Sequence, residues 1–97
     1  MNRLEFRPQA EAEIDEAAAW YEEQAPGLGR TFLTAVDRAL QYILHNPLAF
    51  SRVAHQTRRL PIHGFPYSII YQPRGNTVLV ISCFHGRRDP KRWQERL

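Results

Sequence analysis

The spacing of apolar residues changes once along this chain, at Asn46-Pro47, and that change does most to limit the folds open to it. Before it, Ala10, Ile14, Ala17, Ala18 and Tyr21, then Phe32, Ala35, Val36, Ala39, Leu40 and Ile43, recur at steps of three and four. Such steps line one face of an α-helix. After it, apolar residues alternate with polar ones, as a strand with two faces requires.

The boundaries follow from punctuation. Pro8 stands where a helix can begin, because the first turn needs no donor from it. A first helix is expected to end near Gln24, with Asp15, Glu16, Glu22 and Glu23 on its polar side. Ala25-Pro26-Gly27-Leu28-Gly29 breaks it, and a second helix runs to Asn46-Pro47, so the two should form an antiparallel hairpin. Residues 47 to 55 read as an irregular loop. Gln56–Ile62, Phe65–Gln72 and Thr77–His85 read as strands, the last two joined through Pro73-Arg74-Gly75-Asn76. Asn2–Phe6 reads as a short first strand, and Asp89-Pro90 as the start of a short terminal helix carrying Trp93. Val78-Leu79-Val80-Ile81 is apolar on both sides, the mark of an interior strand covered on each face. The expected class is α+β: a helical hairpin packed on a small antiparallel sheet of three to four strands.

The 97 residues suit a single domain over 1–97, and 43% hydrophobic content is enough for one core. Cys83, the single cysteine, lies in an apolar run and reads as a small buried hydrophobe, which fits a reducing cytoplasm. The amino terminus has no apolar signal core, and no run approaches the roughly 18 apolar residues of a membrane span, so no membrane association is expected. The net charge of +3 conceals an asymmetry. Residues 1–27 carry seven acids and two arginines, whereas residues 28–97 carry eleven bases and three acids. Twelve of the thirteen bases are arginine, whose planar fork suits carboxylate and phosphate. An acidic protein partner or a polyanion is the expected counterpart.

Four segments, "WYEEQAPGLGRTF" (20–32), "NPLAFSRV" (46–53), "RRLPIHGFPYSIIY" (58–71) and "FHGRRDPKRW" (84–93), resemble the ParE/RelE toxins of bacterial toxin–antitoxin modules. They stand in that family's order and spacing over essentially the whole chain. The resemblance implies the fold just read, a cognate ParD-like antitoxin whose carboxy-terminal segment wraps the toxin, and a role of the plasmid-stabilisation type. It implies two alternative targets: DNA gyrase, inhibited by binding, for ParE-like members, or mRNA on the ribosome, cleaved, for RelE-like members. A non-toxic antitoxin-binding scaffold is a third reading.

Cleavage of RNA through its own 2′-hydroxyl needs a base, an acid and positive charge on the phosphate. RelE-type sites place lysines or a glutamate on the middle strands. Here the one lysine is Lys91 and no acid lies between Asp37 and Asp89, leaving His55, His63 and His85 as proton-transfer groups. For an RNase the set would be His85, Arg59 and Arg87, with alternation aiming His85 and Arg87 into one cleft. A lysine or carboxylate beside His85 in an open, solvent-filled groove would overturn the binding reading and put an enzyme in its place. The preferred reading is binding through Arg87, Arg88, Arg92 and Trp93, with Arg58, Arg59 and His85 on the adjoining surface, since arginine among aromatics is enriched in interfaces. Arg58 and Arg59 should face opposite sides of a strand, and either could simply be solvated.

Pro66 and Tyr67 open a strand, and proline there signals a sheet edge or a strand's first residue. An edge would accept an incoming antitoxin strand. Tyr67 and Tyr71 could stack on bases, but Phe65 and Ile69 share their face, which therefore reads as core. Trp20 lies off the centre of its helix's apolar face, where it can cover the edge of the hairpin or meet a partner; packing within the monomer is the preferred reading. His45, His55, His63 and His85 share no ligand spacing, and Gly27-Leu28-Gly29 lacks the strand that precedes a phosphate loop, so no metal or cofactor is expected.

Overall fold

A computed structural model describes residues 2–97. Strand β1 (Arg3–Phe6) leads into α1 (Pro8–Gln24) and α2 (Leu28–His45). Strands β2 (Ser51–Ala54), β3 (Thr57–Pro61), β4 (Tyr67–Arg74) and β5 (Thr77–His85) follow, and α3 (Lys91–Gln94) lies near the end. The five strands form one sheet in the order β1-β5-β4-β3-β2. Among the described residues no helix is long and apolar enough to cross a membrane.

Pro8 occupies the first turn of α1 as its missing N–H allows. The reversal into α2 uses Gly27 at φ 85°, a left-handed conformation that side chains disfavour. Both Glu22 carboxylate oxygens accept the Gly27 N–H, at 3.0 and 3.2 Å, and one also accepts the Gly29 N–H at 3.0 Å. The carboxylate thereby satisfies donors that the start of α2 leaves free and sits at the positive end of its dipole. At Gly29 the helices come so close that a Cβ would lie 2.7 Å from the Ala18 carbonyl oxygen. Gly29→Ala should therefore cost about 1–3 kcal/mol by forcing the helices apart. A thermal melt checks this, at about 4–8 °C per kcal/mol for a chain of this size.

The sheet departs from sequence expectation in two ways. β1 pairs in parallel with β5, from which it is separated along the chain by both helices and by β2, β3 and β4 rather than by a tight turn. Residues 51–54, read as loop, form the edge strand β2. Ser-Arg-Val-Ala has no buried apolar partner on alternate positions, so only its hydrogen bonding to β3 reveals it. The sheet is thus mixed and five-stranded, wider than the three or four antiparallel strands expected.

The main core lies between the helices and the facing side of the sheet, joining Phe32, Val36 and Ile43 to Ile69, Tyr71, Val78 and Val80. A smaller cluster on the opposite side, Ile70, Leu79, Ile81, Phe84 and Trp93, is roofed by α3. Covered on both sides, β5 is buried throughout Val78–Phe84, as its continuous apolar run requires.

One irregularity positions the site. Ile70 pairs with Ser82 but Tyr71 pairs with Val80, so Ile81 is an extra residue in β5. This bulge resets the alternation. Val78 and Val80 reach the helical side before it, Cys83 after it, and His85 therefore falls on the helical side opposite Tyr67.

Candidate functional site

The segment after β5 makes a short turn held to the sheet, with Gly86 N–H donating to the Pro66 carbonyl at 2.9 Å and Arg88 N–H to the His85 carbonyl at 3.1 Å. It carries Arg87 and Arg88, both exposed, between two hollows on opposite sides of the sheet.

The helical-side hollow, about 630 Å³, is lined by Glu13, Glu16, Trp20, Tyr67, His85 and Arg88 among others. The His85 and Tyr67 rings meet edge to face at 5.0 Å. His85 Nδ1 accepts the Arg87 N–H at 3.0 Å, the arrangement of the tautomer that carries its ring proton on Nε2. Two carboxylates thus share an open hollow with His85. Glu13 is fully engaged: it accepts from Ser82 Oγ at 2.9 Å, Cys83 N–H at 3.3 Å and the Arg96 guanidinium at 2.9 and 3.2 Å. Glu16 is exposed, and among the described residues neither carboxylate makes an ion pair with the imidazole.

The opposite groove, about 310 Å³, is lined by Arg59, Ser68, Phe84, Arg88, Trp93 and Gln94 among others. Arg59 Nε donates to Ser68 Oγ at 3.1 Å, which holds the guanidinium across β4. No histidine, lysine or carboxylate lines this groove among the described residues.

The sequence-derived residues separate accordingly. Pro66, Tyr67, His85 and Arg88 converge on the helical-side hollow, and Arg59 and Arg88 on the opposite groove. His85, Arg59 and Arg87 do not share a cleft, because the bulge turns His85 to the helical side while Arg59, paired with Ile70, faces the other. Arg58, paired with Tyr71, instead donates to the Phe50 carbonyl at 2.7 Å and braces the loop before β2. Arg92 is exposed on α3.

Three expectations are corrected. Trp93, expected at a contact surface, is 5% exposed and serves as the anchor of α3 in the smaller cluster. Pro66 does not mark a sheet edge: β4 is interior, paired with both β3 and β5, and the proline directly precedes the strand, where no ladder donor is missed. The edges are β1 and β2. Trp20, for which packing within the monomer is the preferred reading, meets Tyr21 edge to face but is 54% exposed, because Tyr21 takes the core-facing position and one residue is a 100° turn of the helix. Sequence reading missed Glu13 and its pairing with Arg96, which no local pattern joins across 83 positions.

Cys83 is buried, and burial pushes its thiol up to about 12, with the nearby Glu13 carboxylate acting in the same direction. Burial also raises Tyr21, Tyr67 and Tyr71. These groups ionise earlier in the unfolded chain, which then binds fewer protons than the folded one, so stability should fall as pH rises above about 9. Urea melts between pH 7 and 10 measure this, and a thiol reagent at pH 8 should modify Cys83 only on unfolding.

The model of the "ParE toxin of type II toxin-antitoxin system, parDE" matches residues 4–90. The chain belongs to the ParE toxin family. Its fold is shared with the solved "Chromosomal ParDE TA system from P. aeruginosa", with TM-score 0.65 and 18% identity over 88% of this chain and 96% of that one. The isolated E. coli RelE toxin is also similar, with TM-score 0.61 and 16% identity over 99% of this chain and 96% of that one. No curated protein matches by sequence. A ParE-family chain thus has the fold common to ParE and RelE, and the choice between their activities rests on its own side chains.

Proposed function

We propose that this ParE-family protein is the toxin of a type II module, acting in the cytoplasm by binding DNA gyrase and neutralised by a ParD-like antitoxin. The observation that carries this reading is the groove in which Arg59 and Arg88 converge with, among the described residues, no histidine, lysine or carboxylate. Two guanidinium forks suit an acidic or phosphate surface. Without a base or acid, such a groove can grip a target but has no means to move its protons.

One observation favours the second reading, a ribosome-dependent RNase: Glu16, His85 and Arg88 line the helical-side hollow together. That set contains a carboxylate, an imidazole and one cation. The two readings separate in a paired assay. Inhibition of gyrase supercoiling with intact mRNA on ribosomes supports the binding toxin. Cleavage of that mRNA, abolished in His85→Ala or Glu16→Gln, would replace it with the enzyme. If neither activity appears and expression alone leaves growth unaffected, the chain is an antitoxin-binding scaffold.

A further inference from the structure

β1 ends at Phe6, opposite Val80, and the Arg7 N–H makes the last backbone bond to that side of β5, at 2.9 Å from the Val80 oxygen. Beyond Val80 two side chains take the place of a strand. Glu13 of α1 accepts the Cys83 N–H at 3.3 Å, and Arg96, beyond α3, donates to the Ile81 carbonyl at 3.1 Å. The two are bound to each other through both Arg96 terminal nitrogens and both Glu13 oxygens, with side chains 18% and 13% exposed. Ile81 is the extra residue of the bulge, so the irregularity that turns His85 also carries the carbonyl on which Arg96 is seated.

We propose that the Glu13–Arg96 pair is a positioning latch that fixes the arginine-bearing segment 86–92 in the orientation its target meets. This rests on the reading of that segment as the contact surface. α3 has four residues, too few to be stable alone. The Gly86 bond to Pro66 holds the start of the segment and Trp93 pins its far end in the smaller cluster, an axis about which α3 could still turn. Arg96 supplies a third point on the far side of β5, against α1. Three anchors on different elements fix a direction that two leave open. A planar fork is required, since one guanidinium serves two carboxylate oxygens and a carbonyl, whereas a lysine ammonium acts as a point charge.

The test uses the full chain with Arg96→Gln and Arg96→Lys, read by amide hydrogen exchange, thermal melting and gyrase supercoiling inhibition. Arg96→Gln should speed exchange across residues 86–97 by about tenfold or more while β4 and β5 keep their protection. Inhibition should weaken by about tenfold, with Arg96→Lys between it and the parent. Unchanged exchange over 86–97 overturns the latch, as does faster exchange with inhibition held within about threefold. Should Arg96→Gln lose protection throughout the sheet, Glu13→Gln, which keeps an acceptor for Cys83 and Ser82, decides: global loss there too makes the pair structural. If the parent chain fails to inhibit gyrase, the target reading falls separately, and exchange over 86–97 alone decides the latch.

Discussion

Phe32→Ala is expected to cost about 3–5 kcal/mol, the range for truncating a buried aromatic residue. Phe32 has no exposed surface, and its ring lies 5.2 Å from Tyr21, 5.1 Å from Phe65 and 5.4 Å from Tyr67, centroid to centroid. It therefore joins both helices to the start of β4, and removing it opens a void where three elements meet. Small domains have only about 5–15 kcal/mol in total, so the variant should lie close to unfolding. Urea denaturation checks this: the midpoint should fall sharply with little change in slope. A loss below about 1 kcal/mol would mean that the site closes over the void or that the aromatic cluster is not packed as described.

If the chain inhibits gyrase as proposed, replacing Arg59 and Arg88 together by alanine is expected to weaken that inhibition by about 100-fold or more, the scale of losing interface arginines at a binding centre. Both are exposed, so the melting temperature should stay within about 1 °C of the parent. The contrast with Phe32 is the point of the experiment: one change removes the fold and the other only the grip. Inhibition by the parent should also weaken as salt is raised from about 50 to 200 mM, because exposed guanidinium charge is screened over about 10 Å. Full inhibition by the double variant would transfer the contact surface to the helical-side hollow, where His85, Tyr67 and Trp20 lie.

The helices and the three long strands were legible because their apolar residues repeat at the period of the element they form. Ala10, Ile14, Ala17, Phe32, Val36 and Ile43 are all buried where the three-and-four spacing places them. β2 was not legible, since an exposed edge strand needs only hydrogen bonds, which any sequence without proline can make. The orientation of His85 was not legible either. Alternation assumes an unbroken ladder, and one inserted residue at Ile81 reverses it for everything downstream.

By itself, the order of residues determined the helical hairpin, the interior character of β5, the concentration of arginine toward the carboxyl end and the likeness to ParE and RelE toxins. Local spacing and composition carry all of these. Tertiary structure alone decided that Arg59 and His85 lie on opposite sides of the sheet, that Trp93 anchors while Trp20 is exposed, and that Glu13 meets Arg96. Each depends on register or on groups brought together from distant parts of the chain, and neither leaves a periodic trace in a sequence.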